Sequence, residues 1–535
     1  MKFGYSLTAA AAAAFLACGV NAADLTADVV VIGAGASGSA AALAAQQAGA
    51  NVVLLEKTAF QAGAGSFAGG MFAADSAQQK MLKKTVSKEW LFRQYMDISG
   101  GFVNTRLVRR IIDEAGKTVD WLNENGCRMK LVSAGTGGAY NHIGMPATLH
   151  GYQDGGAKAL QGLLTSFEKA GGKALFTTPA QELMLENGRV VGVKAWSEDE
   201  EKALEIRAKQ VVIATGGFGG NADMLKAYAG SPYTLGEIKQ NTGDGVTMAW
   251  KAGAAHRGEN VMHYFWQTFP GEEIAKMQAE MGDEWFGMTD FTRYANLRVN
   301  EKGERFAPES DVTLYSVHGA ELAMQPKQAE YVIVDSAMLD KVKKNGFAAI
   351  EEQYKKFKGG NREFFMEFNE PNDTQVLSEA ERTPRDLKPV LENLTKKTAT
   401  VFRGDSLGEL ARAMGVNEQT FEASVSQYNR AAKTGKDPLF FGEAKRFVPV
   451  VKAPFYAVRF VARNLGTLGG IRVDDELRAV TDDETPIPGL WACGADAGGM
   501  YGKAYVDFEG GTLGFAYTSG RLAGEAAAKA AKALR

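Results

Sequence analysis

Residues 28–57 of this 535-residue chain read DVVVIGAGASGSAAALAAQQAGANVVLLEK. Four apolar residues lead into the pattern Gly33-x-Gly35-x-x-Gly38, and an Ala-rich segment and a second apolar run ending at Glu56 follow. Such glycines allow a tight turn and let a pyrophosphate approach the backbone at the start of a helix, while the acid can hydrogen-bond ribose hydroxyls. With a strand before the glycines and a helix after them, the stretch predicts a βαβ dinucleotide-binding unit.

Further Gly-rich stretches favour FAD over NAD as the dinucleotide. AGAGSFAGGMFAA (62–74) follows the βαβ unit at once, and such a loop suits close backbone approach to a flat ring. A strand-like run enters glycines at QVVIATGGFGGNADML (210–225), and another does so late in the chain at GLWACGADAGG (489–499). This layout is typical of folds that hold a long FAD from several sides, so we predict an α/β fold with a Rossmann-like FAD-binding domain.

The composition is that of an ordinary globular protein. The 60 basic and 63 acidic residues give a formal charge of −3, which argues against a nucleic-acid partner. Beyond the first 23 residues the only cysteines are Cys127 and Cys493; no CxxC or CxxCH occurs, so no disulfide framework, thiol-redox motif or c-type haem attachment is indicated. Both thiols are expected to pack in the core, and no metal site is predicted.

The N-terminus has the pattern of an export signal. MKFGYSLTAAAAAAFLACGVNAA (1–23) carries Lys2, a short apolar run and a small-x-small site before an expected cleavage after Ala22. The alternative is a soluble N-terminal helix. A membrane span needs ~20 apolar residues, so membrane insertion is not expected. We therefore predict a signal peptide at 1–22 and a periplasmic protein.

The sequence resembles the fumarate reductase and succinate dehydrogenase flavoprotein superfamily, in particular its soluble flavocytochrome c-type periplasmic reductases and its 3-ketosteroid dehydrogenases. The matching stretches follow the family's order: GAGASG (33–38), GSFAGGMFAA (65–74), VVIATGGFGGN (211–221), NTGDGVTMAWKAGA (241–254), VNEKGERFAPES (299–310), LGTLGGIRV (465–473) and GGTLGFAYTSGRLAGE (510–525). The resemblance implies an FAD-binding domain in two sequence pieces, 23–262 and 465–535, with a mobile α+β cap domain inserted at 263–464.

Together, the glycine motif and the resemblance predict which residues contact FAD. Asp244 has an alternative role as a helix cap, and in the late turn Ala495, followed by Asp496, stands where the family often has an acid. Membrane-bound members attach FAD to a histidine before the AGG segment, but this chain has no histidine before His142, so the FAD should be non-covalent. The expected FAD contacts are Gly33, Gly35, Ala36, Gly38, Glu56, Ser66, Gly69, Gly70, Asp244, Thr512 and Leu513.

Four features by which relatives bind and protonate a dicarboxylate are replaced. Phe269 stands where those relatives have a histidine in a Q-x-H-P stretch, and Gly466 stands where they have another histidine. DFEGG (507–511) stands in place of their N-R-L-G-G stretch. Thr313 stands where those enzymes have a proton-donating arginine. Because histidine and arginine suit carboxylates, these changes argue against fumarate as the substrate.

Four residues are candidates for catalysis by resemblance. Tyr315, at the end of GERFAPESDVTLY (303–315), lies near a substrate-facing tyrosine of the ketosteroid branch and could donate a proton; the alternative is a packed aromatic in a cap helix. Tyr505 matches a second such tyrosine with an offset of one residue, and Tyr501 lies in the same loop. His150 matches a histidine near the flavin in the reductases, or is hydrogen-bonded scaffold.

Two charged residues of the stretch 303–315 are assigned a structural role and not a catalytic one. Arg305 and Glu309 are expected to form a structural ion pair that holds the turn.

The cap is rich in aromatic residues, at HYFWQTFPGEE (263–273) and EWFGMTDFTRYANL (284–297), which suggests a flat, bulky acceptor. Arg293 or Arg463 could hold a single carboxylate, so the expected substrate contacts are these arginines with Phe269 and Gly466. The prediction is an exported FAD-dependent reductase of an activated C=C bond in a small-molecule substrate, an aromatic or bulky enoate or enone other than fumarate. Flavin N5 would give hydride to the β-carbon and a tyrosine would protonate the α-carbon.

Two other functions stay open on the sequence. One is a ketosteroid-type dehydrogenase running in the opposite direction, and the other is a catalytically silent flavoprotein subunit for electron transfer. Because the chain carries no haem motif, a separate periplasmic cytochrome c or a flavin-bearing protein should supply the electrons.

Overall fold

A computed structural model describes residues 23–61, 63–132, 148–230, 238–282, 294–309, 315–347, 383–506 and 510–534. The predicted signal peptide (1–22), Arg293 and Thr313 lie outside these ranges. The described residues fall into two compact units, one formed by 23–132, 148–263 and 465–534 and the other by 264–464. We call them the FAD unit and the inserted unit.

The strands of both units are given in chain order: β1 (Ala23–Ile32), β2 (Val52–Leu55), β3 (Gly70–Phe72), β4 (Met129–Leu131), β5 (Leu149–Tyr152), β6 (Lys173–Leu175), β7 (Ala180–Glu186), β8 (Arg189–Ser197), β9 (Lys202–Ile213), β10 (His256–Arg257), β11 (Met262–Thr268), β12 (Arg298–Asn300), β13 (Ala329–Asp335), β14 (Val401–Gly404), β15 (Lys436–Asp437), β16 (Gly442–Glu443), β17 (Phe455–Thr467), β18 (Gly470–Arg472), β19 (Arg478–Val480), β20 (Pro486–Ala492) and β21 (Ala497–Gly498).

The helices are given in the same way: α1 (Ala36–Gln47), α2 (Ala77–Met81), α3 (Lys88–Ser99), α4 (Thr105–Glu124), α5 (Gly156–Lys169), α6 (Ala222–Met224), α7 (Asp244–Lys251), α8 (Ile274–Met281), α9 (Tyr315–Ala323), α10 (Ser336–Asn345), α11 (Lys388–Lys397), α12 (Leu407–Met414), α13 (Glu418–Thr434) and α14 (Gly511–Lys532). None of these helices is long and apolar enough to cross a membrane.

The main sheet of the FAD unit has the strand order β19-β20-β9-β1-β2-β6, with β8 also pairing β9 and β7 pairing β8. The apolar run predicted as the first strand forms the C-terminal half of β1, which is parallel to β2 in the register Val30↔Val53 and to β9 in the register Val30↔Val211. Its valines are fully buried, as expected for a parallel strand covered on both faces. The predicted βαβ unit and α/β fold class are confirmed.

Helix α14 packs closely on α1, the helix that follows the glycine motif. A Cβ atom on Gly520 would lie 2.2 Å from Ser37 O, and one on Gly524 would lie 2.2 Å from Ala41 O. The two glycines therefore let the two backbones approach more closely than larger residues would allow. The C-terminal part of the chain thus completes the layer that covers the first βαβ unit.

The inserted unit is built on an antiparallel sheet of order β11-β17-β13-β12, with β14 also pairing β17. Along β13, Val332 and Val334 join one hydrophobic cluster while Tyr331 and Ile333 join another. Since successive side chains of a strand point to opposite faces, both faces of this sheet are covered.

The amphipathic stretch predicted late in the cap forms two helices of the inserted unit. They are α12 and α13, and Gly415 ends α12 in a left-handed conformation with φ 74°. Outside this unit, both cysteines are buried, in agreement with their predicted role in core packing.

Candidate functional site

The predicted pyrophosphate turn has the backbone that its glycines suggest. Gly33 has φ +102°, a left-handed value that side chains disfavour. A Cβ on Gly33 would lie 2.4 Å from Ala214 O, and a Cβ on Gly38 would lie 1.8 Å from Gly33 O. Helix α1 begins after Gly35 with no side-chain cap and no acid in its first turn. Its first amides are therefore available to an anion.

Glu56 lies at the end of β2 beside this turn. Its Oε2 accepts a hydrogen bond from Ala34 N at 2.8 Å, and its Oε1 accepts from Thr58 N at 2.9 Å and from Thr58 Oγ1 at 2.8 Å. The carboxylate is buried and held in one orientation. Glu56, the residue predicted to bind the ribose, therefore lies beside the turn predicted to bind the pyrophosphate.

The Gly-rich stretch at 62–74 lies against the start of α1. A Cβ on Gly65 would lie 2.7 Å from the Cβ of Ala36, and Ser66 Oγ donates to Gly63 O at 2.8 Å. Gly156, at the start of α5, packs against the carbonyl groups of Gly65 and Ser66. Ala36 and Ser66, two predicted FAD contacts, therefore adjoin the same turn.

The far end of that stretch meets the start of α14. Phe72 N donates to Gly510 O at 2.9 Å, and a Cβ on Gly510 would lie 2.7 Å from Gly70 O. Gly70 is thereby next to the first turn of α14, which carries Thr512 and Leu513. Gly69, one residue earlier, is exposed.

Asp244 is the first residue of α7 but does not cap it. The N-cap is Gly243, which makes no side-chain capping bond. Asp244 accepts from Lys57 Nζ at 2.6 Å and from Thr242 Oγ1 at 3.0 Å. This pair ties the end of the first βαβ unit to the GDG turn, and because both partners are partly exposed it contributes little to stability.

Asp496 joins the second Gly-rich stretch to the third. Its buried carboxylate accepts from Thr215 Oγ1 at 2.9 Å, Gly216 N at 2.9 Å and Gly217 N at 3.0 Å. Burial raises the pKa of Asp496, and these hydrogen bonds oppose that rise. This acid lies one residue beyond the position that the family favours, and no local pattern in the sequence indicates its structural role.

Two features of the FAD unit bear on whether the residues near Gly466 and the start of α14 fit a flavin. Gly466 is buried with φ +127°, yet a Cβ built on it meets no other described atom within 4 Å. The first backbone amides of α14 have no acceptor within the helix, and the N-cap Gly510 offers no side chain. The glycine turn before α1 and the start of α14, which has no side-chain cap, are both suited to the oxygen atoms of a dinucleotide, and they fit FAD.

Tyr501 and Tyr505 lie close together in the FAD unit, and both are buried. Their ring centroids are 5.5 Å apart, and the ring of His263 lies 4.1 Å from that of Tyr505. A Cβ on Gly511 would lie 3.2 Å from Tyr501 Oη and 3.3 Å from Tyr505 Oη. The structure thus joins two predicted catalytic residues and adds His263, which the sequence analysis did not single out.

Tyr315 begins α9 in the inserted unit. It is 4% exposed, and its ring lies 5.5 Å from that of Phe265 and 5.2 Å from that of Trp266. Trp266 has φ +63°, which is uncommon for a bulky residue, and Gly319 of α9 packs against its backbone. Tyr315 is therefore a packed aromatic at the start of a helix, and its role as proton donor stays a prediction.

The inserted unit also contains a buried polar and charged cluster, whose members are Gln267, Arg298, His318 and Glu330. Arg298 Nη1 donates to Gln267 Oε1 and to Glu330 Oε1, each at 2.7 Å, and His318 Nε2 lies 2.9 Å from the same Gln267 oxygen. Although burial raises the pKa of Glu330, the charges of Arg298 and His318 lower it overall. The members are far apart in the sequence, which gave no signal for the cluster.

The predicted ion pair between Arg305 and Glu309 is confirmed and gains a third member. Arg305 Nε and Nη2 donate to the two Glu309 oxygens at 2.8 and 2.5 Å, and Nη2 also donates to Asp437 Oδ2 at 2.5 Å. All three side chains are buried. Burial disfavours the charged guanidinium, but the hydrogen bonds to both carboxylates raise the pKa of Arg305.

His150 lies on β5 in the small sheet β3-β5-β4, with both ring nitrogens hydrogen-bonded. Nδ1 donates to Thr148 O at 3.0 Å, so Nε2 accepts from Ser76 Oγ at 2.9 Å. Burial lowers the pKa of His150 from 6.5 to about 4. This geometry supports the scaffold alternative, because neither nitrogen is left for a substrate.

The predicted substrate contacts fall in both units, with Phe269 and Arg463 in the inserted unit and Gly466 in the FAD unit. Phe269 is 1% exposed and stacks on Phe460 at 4.7 Å within the core of the inserted unit. Packing therefore explains an aromatic residue at 269, and its contact with substrate stays a prediction. Arg463 is half-buried on β17, and Arg293 lies outside the described residues.

Comparison with known proteins places these sites in context. The chain is 29% identical over 513 residues to a vinyl phenol reductase of Lactiplantibacillus plantarum, covering 94% of this chain and 96% of the relative. It is 26% identical over 514 residues to a fumarate reductase (cytochrome) of Shewanella frigidimarina, covering 95% of this chain and 78% of the relative.

Among solved structures, the 3-ketosteroid Δ1-dehydrogenase of Sterolibacterium denitrificans superposes with a TM-score of 0.69 at 20% identity, over 94% of this chain and 99% of that one, which shows a shared fold. The family model described as "FAD binding domain" matches residues 28–507. The relatives are reductases and dehydrogenases that act on C=C or CH–CH bonds, and the chain is an FAD-dependent oxidoreductase of this kind. Because this model matches most of the chain, and in agreement with the glycine turn, the chain belongs to the FAD-binding domain family that includes fumarate reductases and 3-ketosteroid dehydrogenases.

Proposed function

We propose that this protein is an exported reductase of a conjugated C=C bond in an aromatic or bulky acceptor, and that fumarate is not its substrate. The observation that carries the proposal is the pair of buried phenols, Tyr501 and Tyr505, at the first turn of α14. Phenols donate hydrogen bonds to a single oxygen but cannot neutralise a dicarboxylate as arginine does. The similarity to a vinyl phenol reductase supports an aromatic acceptor.

The FAD would be held without a covalent bond. The turn from Gly33 to Gly38 would receive the pyrophosphate, Glu56 the adenosine ribose, and Gly70 with the amides of Thr512 and Leu513 the isoalloxazine. Bound FAD supplies the hydride equivalent for the reduction. The protein's own part is to hold the acceptor, exclude water and deliver a proton.

Tyr315 is our candidate for the proton donor. A phenol can donate its proton to a carbon that has received hydride. The rings of Phe265 and Trp266 pack against its ring and would limit its motion. Resemblance to the ketosteroid branch supports this assignment over the buried His150.

The electrons would come from a separate protein in the periplasm. The sequence lacks a CxxCH haem site, and the similar fumarate reductase is named as a cytochrome enzyme. A periplasmic cytochrome c or a flavin-bearing protein is therefore the proposed donor, and residues 1–22 the proposed export signal.

The test is anaerobic reoxidation of the dithionite-reduced holoprotein by a panel of unsaturated compounds. We expect rapid reoxidation by at least one aromatic acceptor, such as cinnamate, 4-vinylphenol or an aryl enone, and slow reoxidation by fumarate. Efficient turnover of fumarate with none of the aromatic compounds would overturn the proposal. Failure of every compound would favour a silent electron-transfer subunit.

The fold shared with a 3-ketosteroid Δ1-dehydrogenase favours one second candidate, oxidation of a saturated ketone. The oxidised holoprotein would then be bleached by a 3-ketosteroid without added reductant. We expect no bleaching, and bleaching at a catalytic rate would establish the dehydrogenase instead.

A further inference from the structure

Gln267 carries a buried hydrogen-bond donor that no described residue accepts. The residue lies on β11 of the inserted unit and is 5% exposed. Its Nε2 has no hydrogen-bond partner among the residues that the structure describes. Buried polar side-chain atoms nearly always bond to protein, to ordered water or to a ligand. An amide N–H group left without an acceptor therefore indicates that another molecule completes this part of the inserted unit.

The orientation of the amide is fixed by its oxygen. Gln267 Oε1 accepts from Arg298 Nη1 at 2.7 Å, and an arginine nitrogen can only donate. His318 Nε2 lies 2.9 Å from the same oxygen and 3.3 Å from Glu330 Oε1. Both oxygens are acceptors, so His318 Nε2 carries a proton. Turning the amide over would bring its own N–H groups against these donors, so Gln267 Nε2 must point away from Arg298 and His318.

The contact with Arg298 also makes the amide a stronger donor. Arg298 is 3% exposed, so its hydrogen bond acts in the interior, where polarisation is greater than in water. A positive charge at the amide oxygen draws electrons from the amide nitrogen and makes its N–H groups more polar. Glu330 Oε1 accepts from the same Arg298 nitrogen at 2.7 Å and compensates the buried charge. The polarised donor is thus held in a cluster whose charges are paired.

Gln267 lies beside the residue proposed as the proton donor. The rings of Phe265 and Trp266 lie 5.5 and 5.2 Å from the ring of Tyr315. The next residue of β11, Gln267, bonds to His318. Residues 315 and 318 are neighbours on α9, because positions three apart lie close together on a helix. One stretch of β11 therefore contacts both the phenol and the neighbouring imidazole of α9.

We propose that Gln267 Nε2 binds the carbonyl oxygen of the acceptor, and that the acceptor is an α,β-unsaturated carbonyl compound. This inference rests on the proposed reductase function and deepens it, because it adds a catalytic residue and names the substrate atom that the residue contacts. Arg298 and His318 act through Gln267, as residues that hold and polarise its amide.

The role of such a donor follows from the movement of charge during the reduction. When hydride is added to the β-carbon, the electron pair of the C=C bond shifts toward the carbonyl group, and negative charge develops on its oxygen. The α-carbon then takes a proton, from Tyr315 in the proposed function, and the C=O bond is restored. One hydride and one proton are added, and the second proton of FADH2 balances the proton that the tyrosine has lost. A donor fixed at the oxygen in advance stabilises the enolate more than the ground state.

The positions of the two groups agree with this chemistry. The carbon that takes the proton is bonded directly to the carbonyl carbon, so a proton donor and an oxygen-binding group must be neighbours. Tyr315 and Gln267 meet that requirement through the contacts between α9 and β11.

The competing explanation is a buried water. Glu330 Oε2 is a second atom of the cluster with no partner among the described residues, and it is an acceptor. One water that accepts from Gln267 Nε2 and donates to Glu330 Oε2 would satisfy both atoms. Gln267 would then be scaffold only, and its N–H group would not affect the reaction.

The substitution Gln267→Glu separates these explanations, because it removes the donor and keeps the acceptor. A carboxylate at 267 still accepts from Arg298 and His318, so the fold and the FAD content should be retained. Reoxidation of the reduced holoprotein by an aryl enone, 4-phenyl-3-buten-2-one, should be slower by about 100-fold or more, the usual effect of losing one such donor. An unchanged rate would overturn the inference and favour the water.

Gln210→Glu is the matched control. Gln210 is a buried glutamine of the FAD unit, 3% exposed, and its Oε1 accepts from the ring nitrogen of Trp491 at 2.9 Å. The substitution adds the same charge at a similar depth and should leave reoxidation by the enone unchanged. Equal losses in the two variants would show that the effect is not specific to residue 267 and would contradict the assignment.

A binding measurement on the wild type depends neither on turnover nor on the folding of a variant. The saturated ketone 4-phenyl-2-butanone is compared with butylbenzene, which has the same carbon chain without the oxygen, by titration of the oxidised holoprotein followed in the flavin spectrum. The ketone should bind about 10-fold more tightly, as expected for one buried hydrogen bond. Equal affinities would overturn the inference.

A spectroscopic signal reports the hydrogen bond itself. With carbon-13 at its carbonyl position, the bound ketone should show a downfield shift of the carbonyl resonance in the wild type. The shift should be smaller in Gln267→Glu and unchanged in Gln210→Glu. A bound ketone with the same carbonyl shift in all three proteins would assign the oxygen to another residue and overturn the inference.

The acceptor panel keeps this inference distinct from the proposed function. The enone and cinnamate show whether the bound oxygen belongs to a ketone or to a carboxylate, and Gln267→Glu should slow whichever compound the wild type reduces. If the wild type reduces 4-vinylphenol but no carbonyl compound, the acceptor class is wrong and the reductase function remains. If no compound reoxidises the wild type, the proposed function fails, and ketone binding still tests Gln267.

Discussion

Replacing His150 with glutamine should make the free energy of unfolding less dependent on pH in the acid range, without abolishing activity. Burial lowers the pKa of this imidazole from 6.5 to about 4, so in the unfolded chain it takes up a proton at a pH where the folded protein excludes one. The unfolded state therefore binds more protons between pH 6.5 and 4, and stability falls as the pH falls through this range. The full difference corresponds to about 3 kcal/mol, of which about 2 kcal/mol is already lost between pH 7 and pH 5.

The assay is urea unfolding of the wild type and His150→Gln at pH 7 and at pH 5. Glutamine can keep a donor for Thr148 O and an acceptor for Ser76 Oγ, but it does not titrate. The loss of free energy of unfolding between the two pH values should be smaller in the variant by about 2 kcal/mol. Ser76→Ala is the control, because it removes a hydrogen-bond partner and leaves the buried imidazole, and it should keep the wild-type pH dependence.

Two results would refute this reasoning. Equal pH dependence in the wild type and in His150→Gln would show that the imidazole is not buried in its neutral form. A loss of flavin reoxidation of about 100-fold or more in the same variant, with FAD still bound, would show that His150 takes part in the reaction and is more than scaffold.

Three further predictions concern the cofactor turn, a buried ion cluster and the proton donor. Gly38→Ala places a Cβ against Gly33 O, so the purified variant should lack flavin absorbance, and normal FAD content would contradict the packing of this turn. Arg305→Met leaves two buried carboxylates, one of them Asp437, without a cation, and should lower the free energy of unfolding in urea by about 3–5 kcal/mol; a loss below about 1 kcal/mol would contradict the cluster. Tyr315→Phe should slow reoxidation by the acceptor by about 100-fold while dithionite reduces the flavin as before, and an unchanged rate would exclude Tyr315 as the donor.

The parts of the site that the sequence could predict are those encoded locally. The turn from Gly33 to Gly38 needs residues that are adjacent in the chain, and its spacing before an Ala-rich helix is informative by itself. The pair Arg305 and Glu309 was predicted for the same reason, since Glu309 follows Arg305 by four positions. Its third member, Asp437, is 132 positions away and carried no signal.

Other parts depend on packing that no local pattern records. His263 was read as one of many aromatic residues near the start of the cap, and only the fold puts it on the ring of Tyr505. Phe269 was expected at a substrate because relatives have histidine there, yet its surroundings are those of a core residue stacked on Phe460. A position in an alignment gives the residue type but does not give its burial.

In the FAD unit, segments that are far apart in the sequence pair with one another, and this has a consequence for how the holoprotein is made. Strand β20 pairs with β9 in the register Leu490↔Val211, and Asp496 closes the turn at Gly216 across 280 positions. A growing polypeptide still attached to the ribosome lacks these late partners, so it cannot present a complete nucleotide cradle. Flavin loading must therefore wait until residues 490–496 have been made, and a chain that stops before β20 should be colourless even though every residue of the first glycine motif is intact.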